Sequence, residues 1–354
     1  MKNRQTNIEV LRVLAMLLII IDHYTVFGLN GCLSQEGNDV SIMLKWVNYF
    51  TLEPLFILSC VGTNVFVMIS GYFLSLNESI RWKGILKTWI QTLFYIIVLW
   101  SIMPFILNVS FQENIKNITI LPVYSSAYWF VTSYIGLLFV APFLAMISNK
   151  LNKRQYLLLL SVGFIMCSQF LYGDIYAGGH HIGWFIYLFF VAGYIRKFSI
   201  PQYLIKHRWN VFLGILFFLF LIVTLVNAYS FYKTGHSFKL RGSNNHGMVF
   251  FLSVAIFVGF VYLKKEGRVS NIIAKISPYS FGVYLIHMNP FCYREMWSTI
   301  VPQTYHIPIV IHALITSVVI YIVCSMIDMI RLHLFEFLRI NYYISKVSSK
   351  LPQL

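Results

Sequence analysis

Apolar residues in this chain come in long unbroken runs, separated by short polar stretches that carry nearly all the charge. A run of roughly 20 apolar residues crosses a bilayer core of about 30 Å as an α-helix. Such runs lie at about 10–29, 55–77, 84–108, 127–147, 156–172, 182–196, 210–228, 247–263, 278–293 and 307–330. They predict an all-α polytopic membrane protein of about ten transmembrane helices. Barrel strands would alternate apolar and polar positions, and these runs do not. Two regions follow: a membrane domain over 1–330 and a basic amphipathic tail over 331–354. Leu332, Phe335, Leu338 and Tyr342 give the tail an apolar side among basic residues.

The first run breaks its own pattern. It carries Glu9, Arg12, Asp22 and His23. Ionisable side chains are costly in hydrocarbon, so such residues mark a functional site by default. A helix turns 100° per residue, and eleven residues return to within about 20° of the same face. Glu9, Arg12, Met16, Ile19 and His23 therefore share one stripe. A histidine can move a proton near neutral pH, and an arginine can hold an anion. The simpler readings stay open. Arg12 can snorkel at a helix end or pair with Glu9 at i, i+3, and His23 can be held by a neighbour. Asp22 lies about 100° from His23 round an ideal helix, so it is a poor candidate to orient that ring.

Composition and charge sharpen the membrane reading. The chain is 58% hydrophobic and 11% charged, with a formal net charge of +15. The charge is segregated between alternate loops. One set, from Lys2 and Arg4 through Arg81, Lys83 and Lys87 to Arg339, Lys346 and Lys350, holds 20 Lys and Arg. The other holds six. That split follows the positive-inside rule, which puts both termini in the cytoplasm and argues against nucleic acid as a partner. The first run is read as a retained helix, since Asp22-His23 interrupts it and no small-residue cleavage site follows. Five scattered cysteines show no metal spacing, and no metal is expected. Two Asn-x-Ser/Thr patterns, at Asn108 and Asn117, fall in an outer loop.

Several segments, taken in order, resemble one family. Arg4-x4-Glu9-x-Leu11-Arg12-x-x-Ala15 followed by His23 is similar to the opening signature of the membrane-bound acyltransferase-3 family. Phe66-Val67-Met68-Ile69-Ser70-Gly71-Tyr72 resembles its second span. Tyr128-Trp129-Phe130 with Ala141-Pro142-Phe143-Leu144 resembles a later one, and Ser280-x-x-x-Tyr284-Leu285-x-His287 resembles its late histidine motif.

The resemblance implies a ten-helix enzyme in the cytoplasmic membrane. It would move an acyl group, usually acetyl from acetyl-CoA, to a hydroxyl of a cell-envelope or exported polysaccharide. No cofactor is expected beyond the acyl-CoA donor as substrate. His23 would be the base that takes the hydroxyl proton, or a covalent acyl carrier, with His287 as second catalytic candidate. Arg12, Glu9, Arg4, Arg81, Lys83 and Lys87 would serve the anionic donor on the cytoplasmic side. Tyr128 and Trp129 would meet the glycan acceptor, or simply belong to the interfacial aromatic belt. The chain departs from the family where two arginines are expected three residues apart. Arg81, Lys83 and Lys87 stand there, and lysine holds phosphate as a point charge without a fork. Two rival functions remain: a transporter or flippase of a lipid-linked glycan, and a non-catalytic subunit of a polysaccharide assembly complex. The absence of a clear internal repeat counts against the first.

Overall fold

The structure is a computed structural model that describes residues 5–29, 42–107, 128–169, 177–198, 200–234, 243–263, 267–301 and 306–352. It is helical throughout, with no strand among the described residues. Arg4, Cys32 and the patterns at Asn108 and Asn117 lie outside them. In chain order the helices are α1 (Thr6–His23), α2 (Ile42–Ser59), α3 (Val61–Leu74), α4 (Trp82–Leu107), α5 (Trp129–Lys150), α6 (Lys153–Cys167) and α7 (Ile182–Lys197). There follow α8 (Gln202–Lys206), α9 (Arg208–Thr234), α10 (Gly247–Val261), α11 (Arg268–Ile276), α12 (Ser280–His287), α13 (Tyr293–Ile300), α14 (Ile309–Phe337) and α15 (Ile340–Ser348).

Among the described residues, six segments are long and apolar enough to cross a membrane: Thr6–Gly28, Met43–Leu74, Trp82–Ile106, Trp129–Lys150, Arg208–Ser230 and Ile309–Phe337. The other four expected spans coincide with shorter helices. α6, α7 and α10 have 15, 16 and 15 residues, and α12 has only 8 before the chain turns at Asn289-Pro290. At 1.5 Å per residue, 15 residues reach about 23 Å, less than the full hydrocarbon thickness. The second span also starts earlier than its apolar run. The aromatic stretch with Trp46, Tyr49 and Phe50, expected as a loop returning to the interface, is already helix in α2.

α1 is the hub. It packs against α2, α3, α10, α11, α12 and α14, and Ile8, Leu11, Ala15, Met16 and Ile20 are almost completely buried. Glycine permits the closest approaches. A Cβ on Gly62 would meet the Ala15 carbonyl of α1 at 2.5 Å, and one on Gly71 would lie 2.9 Å from the Phe189 backbone of α7. Such close backbone packing is how apolar helices associate without a hydrophobic driving force between them. α9 is the opposite case. It is apolar all round and mostly exposed, which suits a lipid-facing helix.

The basic loops are tied together at one end. Lys197 Nζ donates to the carbonyls of Ser148, Asn149 and Leu151 at 2.8, 2.9 and 2.8 Å, capping the C-terminus of α5. Asn149 Nδ2 donates to Glu78 (2.6 Å), Arg208 Nε to the Gly259 carbonyl (3.3 Å) and Asn7 Nδ2 to the Phe260 carbonyl (2.6 Å). Lys197 and Arg208 are thus engaged by backbone. At the same end an Asn152–Gln155 capping box starts α6.

No helix end marks the boundary at 330/331. α14 runs unbroken to Phe337, and Arg331 is 3% exposed inside the protein. The chain turns instead at Arg339, in the left-handed region with φ 54°. α15 then packs back on α4, and Trp82 Nε1 donates to the Pro352 carbonyl at 2.6 Å. Arg331 belongs to the core because Asp328, one turn earlier, gives it a bidentate partner: Nε–Oδ1 2.7 Å and Nη2–Oδ2 3.0 Å. Tyr95 Oη and Gln91 Nε2 of α4 donate to the same carboxylate at 2.8 and 3.3 Å.

Candidate active site

α1 delivers Met16, Ile19, Asp22 and His23 to one wall of a cavity of about 270 Å³. The upper half of the expected stripe is thus a cavity lining. Immediately after His23 the helix widens into a π-turn over Tyr24–Gly28, closed by Leu29 N–H on the Tyr24 carbonyl at 3.1 Å. The extra residue brings Val26 and Phe27 to the same cavity, and π-turns recur at functional sites.

The opposite partner comes from α12, whose last residue is His287. Its Nδ1 lies 2.7 Å from the Val283 carbonyl one turn back. A carbonyl only accepts, so Nδ1 carries the hydrogen. In a neutral ring Nε2 is then an acceptor. It lies 2.9 Å from His23 Nδ1, which must donate. The bond assigns both tautomers and leaves His23 Nε2 with a free lone pair. His287 is fully buried and off the cavity wall, whereas His23 is on it. Trp297 packs edge-on against His287 with ring centroids 6.3 Å apart.

The position of α12 is itself fixed. Tyr128 Oη donates to the Leu285 carbonyl at 2.5 Å and accepts from Asn289 Nδ2 at 3.0 Å. Asn289 Nδ2 also reaches the Tyr95 carbonyl at 3.3 Å. Near the start of α12, a Cβ on Gly282 would collide with the Asp328 carboxylate, so only glycine lets the two helices meet there.

The far wall is built by two segments, 177–181 and 243–246. Gly178 and Gly179 have φ of 63° and 80°, and a Cβ on Gly179 would lie 3.0 Å from Asn245 N. Asn64, fully buried on α3, ties the wall to the core. Its Nδ2 donates to the Asn244 carbonyl (2.7 Å) and Ser253 (3.2 Å), and its Oδ1 accepts from Trp184 Nε1 (2.9 Å). Burial holds His181 and His246 below the usual imidazole range. Neutral rings suit their Nδ1 atoms, which accept from Gly183 N and Met248 N at the starts of α7 and α10.

The candidate residues fall into three groups. His23 and His287 are together. Glu9 and Arg12 are together at the other end of α1, with Arg12 Nη1 2.7 Å from Glu9 Oε2 and the Ser277 hydroxyl on the same carboxylate. Arg81, Lys83 and Lys87 are exposed around the start of α4, where Arg81 Nη2 approaches the Phe73 carbonyl at 3.4 Å. None of Arg12, Arg81, Lys83 and Lys87 is among the cavity-lining residues. Trp129 does line the cavity, stacked on His180 with centroids 4.4 Å apart. Tyr128 does not: it is fully buried behind the wall. Asp22 lines the cavity and accepts from Ser59 (3.3 Å) and Cys60 (3.5 Å), so its carboxylate is engaged away from the His23 ring.

Sequence reasoning passed over His180 and Asn244 as site residues and Asp328 as a buried charge. Asp328 had a readable signal, an acidic residue inside an apolar run three positions before an arginine. His180 had one as well, the glycine-rich approach Gly178-Gly179-His180-His181 that suits cavity-lining backbone, whereas Asn244 had none beyond a place in a polar loop.

Residues 5–329 match the family model described as an acyltransferase domain, acyltransferase-3. No curated protein and no solved structure matches the chain.

Proposed function

We propose, from the premise that this chain belongs to the acyltransferase-3 family, that it is an O-acyltransferase whose base is His23. The observation that carries the reading is the His23–His287 hydrogen bond at 2.9 Å beside the cavity. The chemistry needs a group that accepts a proton as a weak nucleophile attacks. The acceptor hydroxyl oxygen attacks the thioester carbonyl carbon while its proton passes to His23 Nε2. The C–S bond then breaks, and the proton leaves His23 for the departing thiolate. The products are an O-ester and a free thiol. His287 Nε2 accepts from His23 Nδ1 throughout, and this bond strengthens when His23 carries the positive charge. His287 therefore orients the base without touching the reacting atoms.

Acetyl-CoA is the proposed donor and a cell-envelope polysaccharide the proposed acceptor. The basic end would lie in the cytoplasm, with both termini there, and the protein would reside in the cytoplasmic membrane. Arg81, Lys83 and Lys87 are exposed and suit the donor phosphates as point charges. Arg12 is offset by Glu9 and suits the donor less by charge than by its place one turn below Met16. Trp129 offers an aromatic surface to the acceptor beside His23.

The test is CoA release from acetyl-CoA by the purified full chain, together with mass spectrometry of the envelope glycan. His23→Ala is expected to insert normally and to abolish both signals. Wild-type acetylation by that variant would sink the assignment.

A further inference from the structure

Asn244 stands out at the cavity because its backbone is fully committed and its side chain is not. Its N–H donates to the Gly178 carbonyl at 3.0 Å, and its carbonyl accepts from Asn64 Nδ2 at 2.7 Å. The residue is only 4% exposed and lines the cavity together with His23, Trp129 and His180. Asn64 spends its whole amide on the fold, and Asn245 its Nδ2. Asn64 joins Trp184, Ser253 and the Asn244 carbonyl, and Asn245 Nδ2 donates to the Cys167 carbonyl at 3.0 Å. The Asn244 amide makes no hydrogen bond among the described residues. Neither of its amide atoms is among the buried unpartnered ones, so the amide is open to a partner from the cavity side.

We infer that the Asn244 amide is a binding subsite for the acceptor, reading a hydroxyl adjacent to the one that is acylated. This rests on the acyl-transfer reading for its biological meaning. A primary amide presents an acceptor, Oδ1, beside a donor, Nδ2. A vicinal diol has two groups that each donate and accept, so it can complete that fork while one hydroxyl is turned to the base. A lone alcohol leaves one arm of the amide unpaired. Sites that hydrogen-bond a polar group discriminate against analogues lacking it, because the site's own group is then stranded. The rigid wall favours such a role. Asn64 and Gly178 hold the Asn244 backbone, so the amide reaches the cavity from a fixed point.

The test uses the full-length protein in detergent with acetyl-CoA as donor and two defined probes, cis-cyclohexane-1,2-diol and cyclohexanol. The ratio of their kcat/KM values is compared in wild type, Asn244→Leu and Asn244→Asp. A second readout does not need turnover: protection of His23 from diethylpyrocarbonate, followed by mass spectrometry of the α1 peptide. The ratio is expected to favour the diol in wild type and to fall by about 3- to 10-fold for each hydrogen bond lost in the variants. The diol should shield His23 better than cyclohexanol in wild type and lose that advantage in Asn244→Leu. An unchanged ratio and unchanged protection in Asn244→Leu would overturn the subsite while leaving acyl transfer standing. Selective shielding by the diol that depends on Asn244, with no CoA released from any alcohol, would uphold the subsite and overturn the transferase reading.

Discussion

His23 Nδ1 and His287 Nε2 meet at 2.9 Å although 264 positions separate them in the chain. His287 is bound on its other side by the carbonyl of Val283, which determines which nitrogen of each ring carries hydrogen. If His23 is the base and His287 its positioning partner, the two variants should differ. His23→Ala is expected to lower kcat by about 10²–10⁴-fold, the usual worth of a general base. His287→Ala should cost less, because His23 keeps its lone pair and loses only its orientation. A steady-state comparison of kcat with acetyl-CoA saturating distinguishes them. Equal losses would instead place His287 at the reacting atoms.

Tyr128 should act at one remove. Its hydroxyl holds the Leu285 carbonyl and Asn289, two residues on either side of His287. Tyr128→Phe takes a buried donor from the Leu285 carbonyl and leaves Asn289 Nδ2 only the Tyr95 carbonyl, at about 1–3 kcal/mol of stability. It is expected to lower the melting temperature in detergent and to reduce kcat with little change in acceptor KM. A variant with raised acceptor KM and unchanged kcat would return Tyr128 to the acceptor role.

The Asp328–Arg331 pair gives a stability prediction independent of catalysis. Both side chains are buried, at 0% and 3% exposure. Asp328→Ala leaves the guanidinium uncompensated and should cost about 3–5 kcal/mol, read as thermal unfolding or loss of folded yield. Replacing both, as Asp328→Leu with Arg331→Met, should recover most of that loss. A double variant no better than the single one would show that the pair matters for more than mutual neutralisation.

Two glycines supply a matched contrast. Gly71→Ala pushes a methyl against the Phe189 backbone and should destabilise by about 1–3 kcal/mol, because backbone cannot give way cheaply. Gly214, on α9, has nothing within 4 Å of an added Cβ. Gly214→Ala is expected to be neutral or slightly stabilising through helix propensity. Thermal stability of both variants in the same detergent checks the pair.

The apolar runs were enough to identify the long helices, because length and hydropathy decide whether a segment can cross a bilayer. The stop of α12 at Asn289-Pro290 is legible too, since proline cannot continue a helix, but what holds it there is not. α12 ends after 8 residues, and the turn at Asn289-Pro290 is held by Tyr128 and Tyr95, contacts no local pattern contains. The same limit explains Arg331. Read locally it is one more basic residue in a basic tail. Its burial depends on Gln91 and Tyr95 of another helix joining it at Asp328.

What the sequence by itself determined is an α-helical membrane chain with Glu9, Arg12, Asp22 and His23 in its first apolar run and His287 in a later one. Periodicity and composition are local properties, and the cost of an ionisable group in hydrocarbon can be read from one segment alone. Tertiary structure decided which of those groups face one another. It joined His23 to His287, buried Tyr128 behind the wall, and brought Asn244 to the cavity. Those outcomes turn on hydrogen bonds of 2.5–3.0 Å between atoms far apart in sequence. Only the packing of α1, α3, α5 and α12 brings such atoms within reach.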